Sequence, residues 1–207
     1  MSMSVFKLDD PNGNTIGTIR AVFPKTIFCE NNVLSSDYIL SLKTLSEKLV
    51  RENSTKDTAL NVLSTHKTNN LVNYDEYSVL SDKIISKARG YAEAIGYCSK
   101  TQLQNLKIVN MWVNQSNGGD FVFPHVHTNS DLTGVFYIDA PTNAIITFYD
   151  NIYNMSKDVV TVNMFSSRYF QHPCTPNSLL LFKSDLLHGN EKQPTGSKLA
   201  ISFNIVF

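Results

Sequence analysis

A mainly β fold with flanking helices follows from three features of this 207-residue sequence. The apolar pattern changes at Leu106 from helical spacing to alternation, with Ile108, Asn110, Trp112 and Asn114 set against Val109, Met111 and Val113. Short β-rich runs follow at about 121–126, 132–139, 144–149, 158–163, 178–183 and 198–206. Finally, His125 and His127 sit one residue apart, and His188 lies far downstream, so a joint site requires a later strand to fold back over the first. The strand count suits an eight-stranded double-stranded β-helix, a jelly roll. The expected organisation is a single domain over 1–207, with N-terminal strands and supporting helices over 1–105 and the β-helix core over 106–207.

Residues 1–34 read as short strands. Asp10-Pro11-Asn12-Gly13 forms a turn, and Thr15 to Phe23 alternates before Pro24. Ser35-Ser36-Asp37 opens a helix, because these side chains accept from orphan amides and Ile39, Leu42, Leu45 and Leu49 follow at helical spacing to about Asn53. Ser54 to Asn73 is polar and reads as a long irregular loop. A second helix spans about Asp75 to Tyr97, with Leu80, Ile84, Ala88, Ala92 and Ile95 as its apolar stripe and Gly96 at its end. Both helices are expected on the outer face of the sheet. Gln115 to Asp120 reads as a glycine-permitted hairpin, and the stretches 54–73 and 150–158 are the candidate lids.

Composition narrows the functional classes. Lys and Arg total 18 against 18 Asp and Glu, so bulk charge gives no hold on nucleic acid. Cys29, Cys98 and Cys174 show no paired spacing, the start lacks a long apolar segment, and no stretch is long enough to span a bilayer. The expectation is a cytoplasmic protein with reduced thiols and no membrane partner; the oligomeric state is left open.

The chemistry resides in the histidines and a lysine. Imidazoles suit a divalent transition metal, and residues 125 and 127 project from one strand face. Lys198 lies on the last strand, where Lys198, Ala200 and Ser202 share a face, and offers a cation to an anionic co-substrate. Asn110, Trp112 and Asn114 face the expected pocket and are candidate substrate contacts, with Arg168 a further one for an anionic substrate. His66 and His172 read as surface or local hydrogen-bonding residues.

Together, Phe123-Pro124-His125-Val126-His127, Leu186-Leu187-His188-Gly189 and the strand from Lys198 resemble the Fe(II)/2-oxoglutarate-dependent oxygenases, especially the prolyl-hydroxylase-like branch and its bacterial and phage relatives. The resemblance covers roughly the C-terminal half. It implies Fe(II) at His125 and His188, 2-oxoglutarate as co-substrate with its far carboxylate on Lys198, Tyr137 and Ser202, and hydroxylation of a small-molecule or peptidyl substrate with release of succinate and CO2. Two positions depart from the family pattern: an acidic residue is usual where His127 stands, and arginine is more common than Lys198. His127 can be a direct ligand, or a neighbour of a site completed by water or by Asp120 or Asp131, or the mark of a fold that has lost its chemistry. The alternative function is a three-histidine cupin-type metalloprotein or a non-enzymatic jelly-roll binding module.

Overall fold

The structure, a computed structural model, describes residues 5–9, 15–20, 25–57, 61–150, 168–193 and 195–207. An N-terminal hairpin pairs β1 (Val5–Asp9) with β2 (Thr15–Arg20). The remaining strands are β3 (Ile27–Asn31), β4 (Thr55–Asp57), β5 (Val62–Ser64), β6 (Lys107–Asn117), β7 (Val122–His125), β8 (Leu132–Asp139), β9 (Ile145–Tyr149), β10 (Tyr169–Pro173), β11 (Ser178–Lys183), β12 (His188–Asn190) and β13 (Ser197–Val206). They form a major sheet in the order β3-β11-β8-β13-β6-β5-β4 and a minor sheet in the order β10-β9-β12-β7. From β6 to β13 the strands divide four and four between the sheets, and their pairings among the described residues are antiparallel. This is the double-stranded β-helix that the strand count predicts.

Alternation decides which side of the major sheet carries chemistry. Met111, Val113, Phe136, Ile138, Leu179, Leu181, Leu199, Ile201, Phe203 and Ile205 point outward into a core completed by helices. Their neighbours Val135, Tyr137, Leu180, Phe182 and Ala200 point inward, toward the minor sheet and its Ile146 and Phe148. A one-residue slip of β13 would exchange the two sets, so burying both faces fixes the register.

The helices cover the outer face, as their stripes require. Helix α1 (Ser36–Asn53) buries Leu42, Leu49 and Val50, and α2 (Ser78–Ala94) buries Leu80, Ile84, Ala88 and Ala92 in the same core. Burying each large side chain there contributes about 1.5–3 kcal/mol before ordering costs. Ser35 stands at the N-cap of α1 without a side-chain capping bond, so tertiary packing rather than the cap holds that end. A 3-10 turn over Asp75–Tyr77 precedes α2, and Gly96 at φ 64° ends it. A further short helix, α3 (Lys100–Asn105), starts at a capping box in which Ser99 and Gln102 exchange side-chain bonds.

Three expectations need correction. The stretch 54–73 is not an irregular loop: β4 and β5 extend the edge of the major sheet, because Leu63 and Ser64 pair with Gln115 and Asn114. The turn after β6 is not a hairpin. Gly119, at φ 93°, carries the chain from the major to the minor sheet, and Asp120 accepts from the Asn117 amide at 2.8 Å. The segments β10 and β12 are strands that the sequence reading did not separate. The expected turn at 10–13, the strand at 158–163 and nearly all of the candidate lid at 150–158 lie outside the described residues.

Candidate metal centre and co-substrate pocket

The fold brings the three histidines together. His125 ends β7 and stands opposite His188, the first residue of β12; His127 lies just beyond β7, held by its amide donating to the Ser184 carbonyl at 2.9 Å. Ring centroids are 4.5 Å apart for His125 and His188, and 5.2 Å from His127 to each. One ring nitrogen from each lies within 4.8 Å of the others. Among the described residues, no other group of three or more potential ligands converges in this way.

Hydrogen bonds fix which nitrogen is offered. Nδ1 of His125 is 2.8 Å from the Phe123 carbonyl, and Nδ1 of His188 is 2.8 Å from the Leu186 carbonyl. Nδ1 of His127 is 2.7 Å from Oδ1 of Asn204. Each partner is an oxygen that only accepts, so each Nδ1 donates and Nε2 keeps its lone pair. Burial, followed by the neighbouring His125, pushes His127 down to about 4 and His188 down to about 3. These two rings are therefore neutral at neutral pH. A fixed tautomer, a neutral ring and an oxygen behind each Nδ1 are what a transition-metal site asks of histidine, so the donor set fits Fe(II).

Beside the imidazoles, a pocket between the sheets is lined by Tyr137, His188, Lys198, Ser202, Asn114 and Trp112, among others. Lys198 is 6% exposed and forms no ion pair among the described residues. Burial depresses its basicity, since an ammonium without a counter-charge is costly in such a place. Tyr137 is buried opposite Ala200, and its hydroxyl bonds the Cys174 thiol; desolvation raises its pKa well above the ordinary value. Ser202 accepts from Asn114 Nδ2 at 3.0 Å, which leaves its own proton free to donate.

The other predicted positions separate. Trp112 stacks on His127 at 6.1 Å and 25°, and its buried Nε1 has no partner among the described residues, like Oδ1 of Asn114. Asn110 lies in a second groove against His125 and His127, with Trp112, His66, Thr128, Asn129 and Asn204. Arg168 is exposed ahead of β10 and lines neither space. Asp120 pairs with Lys56 at 2.8 Å, and Asp131 accepts from the Phe207 amide at 3.0 Å; neither joins the histidine cluster. His66 is exposed, as expected, but also packs 4.5 Å from the Trp112 ring at the groove. Sequence reasoning missed Asn204, Thr133 and Cys174 at the site. The first two were within reach, since Asn204 shares the alternation of Lys198 and Ser202, and Thr133 shares that of Tyr137.

Residues 110–204 match the family model described as "Putative 2OG-Fe(II) oxygenase". Over this stretch, just under half of its length, the chain is similar to the 2OG-Fe(II) oxygenase family. Solved structures agree with this family at the level of fold. The non-heme alpha ketoglutarate dependent epimerase SnoN from nogalamycin biosynthesis superposes with a TM-score of 0.64 at 12% identity, over 88% of this chain and 78% of that one. HygX from Streptomyces hygroscopicus, solved with nickel, 2-oxoglutarate and hygromycin B, gives 0.62 at 11% identity over 88% and 83%. A prolyl-4-hydroxylase from Pseudomonas putida gives 0.59 at 8% over 88% and 92%. No curated protein matches in sequence. Among the described residues, no helix is long and apolar enough to cross a membrane.

Proposed function

We propose that this oxygenase hydroxylates its substrate with Fe(II) held by Nε2 of His125, His127 and His188, and with 2-oxoglutarate anchored by Lys198. The observation that carries this reading is the buried ammonium of Lys198, without an ion-pair partner among the described residues, in the same pocket as three tautomer-fixed imidazoles. A dicarboxylate reaching from the metal to Lys198 would supply the missing counter-charge. Ser202 would donate its free hydroxyl proton to the same carboxylate, and Tyr137 would do so by releasing Cys174. When bound, Fe(II) and 2-oxoglutarate would let dioxygen serve as the oxidant, one oxygen atom going into succinate, formed with CO2, and the other into the substrate hydroxyl. The protein's part is to hold neutral nitrogens, a dry wall and a fixed cation around them. A cupin-type three-histidine site has no use for a buried ammonium there, so Lys198 favours the keto-acid reading over that alternative and over a non-enzymatic module.

Substrate would enter by the second groove, where His66, Asn110, Trp112, Thr128 and Asn129 meet the histidines. Among the described residues no carboxylate, lysine or arginine lines it, which favours an uncharged small-molecule or peptidyl group with hydrogen-bonding capacity. Arg168 has no part in this groove. The test is anaerobic addition of Fe(II) and then 2-oxoglutarate. A weak visible charge-transfer band should appear only with both, and its absence from iron-loaded protein would end the proposal.

A further inference from the structure

Of the three imidazoles, His125 and His188 are oriented by backbone carbonyls two residues back in each case, whereas His127 is oriented by a side chain 77 positions away. That side chain, Asn204, is itself held. Thr133, Asn204 and Asn110 lie directly opposite one another on β8, β13 and β6, forming one row across the major sheet. The Thr133 hydroxyl donates to the same Asn204 oxygen that accepts from His127, and Asn204 Nδ2 donates to Asn110 Oδ1 at 3.2 Å. Asn204 is 9% exposed and Thr133 1%, so water does not readily substitute in this network.

We infer that Asn204 is the positioning residue that makes His127 a metal ligand, an inference resting on the metal-centre reading above. A neutral imidazole carries one proton, and whichever nitrogen faces a fixed acceptor keeps it. With Asn204 Oδ1 at 2.7 Å, the proton stays on Nδ1 and Nε2 offers its lone pair. Without that acceptor, a buried Nδ1–H loses its partner and the Nε2–H tautomer, which cannot ligate, gains population. An acidic residue at position 127 would need no such support. The Thr133, Asn204 and Asn110 row thus accompanies the replacement of a carboxylate by histidine, and Trp112 stacked on the His127 ring restrains its rotation.

The test uses full-length protein labelled with 15N-histidine and, separately, Fe(II) titration under anaerobic conditions. Metal-free parent should show His127 as the Nδ1–H tautomer, and Asn204→Leu should shift it toward Nε2–H. Fe(II) affinity should fall by roughly 10- to 100-fold in Asn204→Leu. Asn204→Asp keeps the acceptor and should preserve both the tautomer and the affinity, so it also serves if the leucine variant fails to fold; weakened binding in it would overturn the inference. In a His127→Asp background, Asn204→Leu should leave affinity unchanged. Equal Fe(II) binding by parent and Asn204→Leu, or an equal loss in both backgrounds, would refute the role of Asn204. A parent that binds no Fe(II) would instead refute the metal-centre reading itself.

Discussion

His125 and His188 stand opposite each other across the β7 and β12 pair, with their rings 4.5 Å apart and each Nδ1 bonded to the carbonyl two residues before it. Two sequence-distant segments thus present imidazoles with the same tautomer to one point. Replacing either by alanine should lower Fe(II) affinity at least 100-fold in an anaerobic titration, since the two remaining rings cannot close the site.

Gly189 shows how closely those segments approach. A Cβ there would lie 2.6 Å from the Val122 carbonyl oxygen and 3.0 Å from the Pro124 nitrogen, both backbone atoms of the facing strand. Gly189→Ala should therefore force β12 away from β7, separating His188 from His125. The expected cost is about 1–3 kcal/mol of stability in denaturant unfolding, together with weakened Fe(II) binding although no ligand is altered.

Lys198 gives a prediction of two signs. A buried ammonium without a counter-ion opposes folding, so Lys198→Met should raise the melting temperature of the protein measured without metal or co-substrate. The same change removes a charge-assisted contact of about 1.5–3 kcal/mol, so 2-oxoglutarate affinity should drop about 10- to 100-fold while Fe(II) affinity holds. Thermal shift with and without 2-oxoglutarate reads both effects.

Acid should destabilise the metal-free protein before its carboxylates are protonated. His127 and His188 are lowered from 6.5 to about 4 and about 3 in the folded state, so below pH 6.5 the unfolded chain takes up protons that the folded one refuses. Stability should fall as pH drops from 6.5 toward the folded values, approaching about 1.4 kcal/mol per pH unit for each ring, and flatten below them. Urea unfolding across pH 4–7 measures the slope, and His127→Asn should remove its share.

His127→Asp tests the charge of the ligand set. A carboxylate restores one negative charge to the site, so Fe(II) binding should tighten. Unchanged affinity would count against direct ligation by His127.

Much of this architecture was legible because alternation carries over directly into a sheet buried on both faces. Strands 132–139 and 178–183 end where the pattern ends, and Lys198, Ala200 and Ser202 share the pocket wall as their spacing predicts. Helix α3 was not read: Ser99 and Gln102 stand at capping-box spacing, but a six-residue helix offers too short an apolar stripe to be noticed. Strand β12 spans three residues and takes its identity from its partners, and β4 and β5 from the open edge of β6. For Asn204 the alternation with Lys198 and Ser202 shows the face it occupies but not its role. Its role comes from a contact with His127 that no local pattern encodes, only the register of three strands.

The claim on which the rest depends is that three imidazoles and one ammonium enclose a single Fe(II) and 2-oxoglutarate site. Anaerobic absorption spectroscopy of parent and Lys198→Met at matched, submaximal 2-oxoglutarate tests it most directly. The visible charge-transfer band should form in iron-loaded parent and be much weaker in the variant until 2-oxoglutarate is raised. No band in the parent, or equal bands in both proteins, would contradict it.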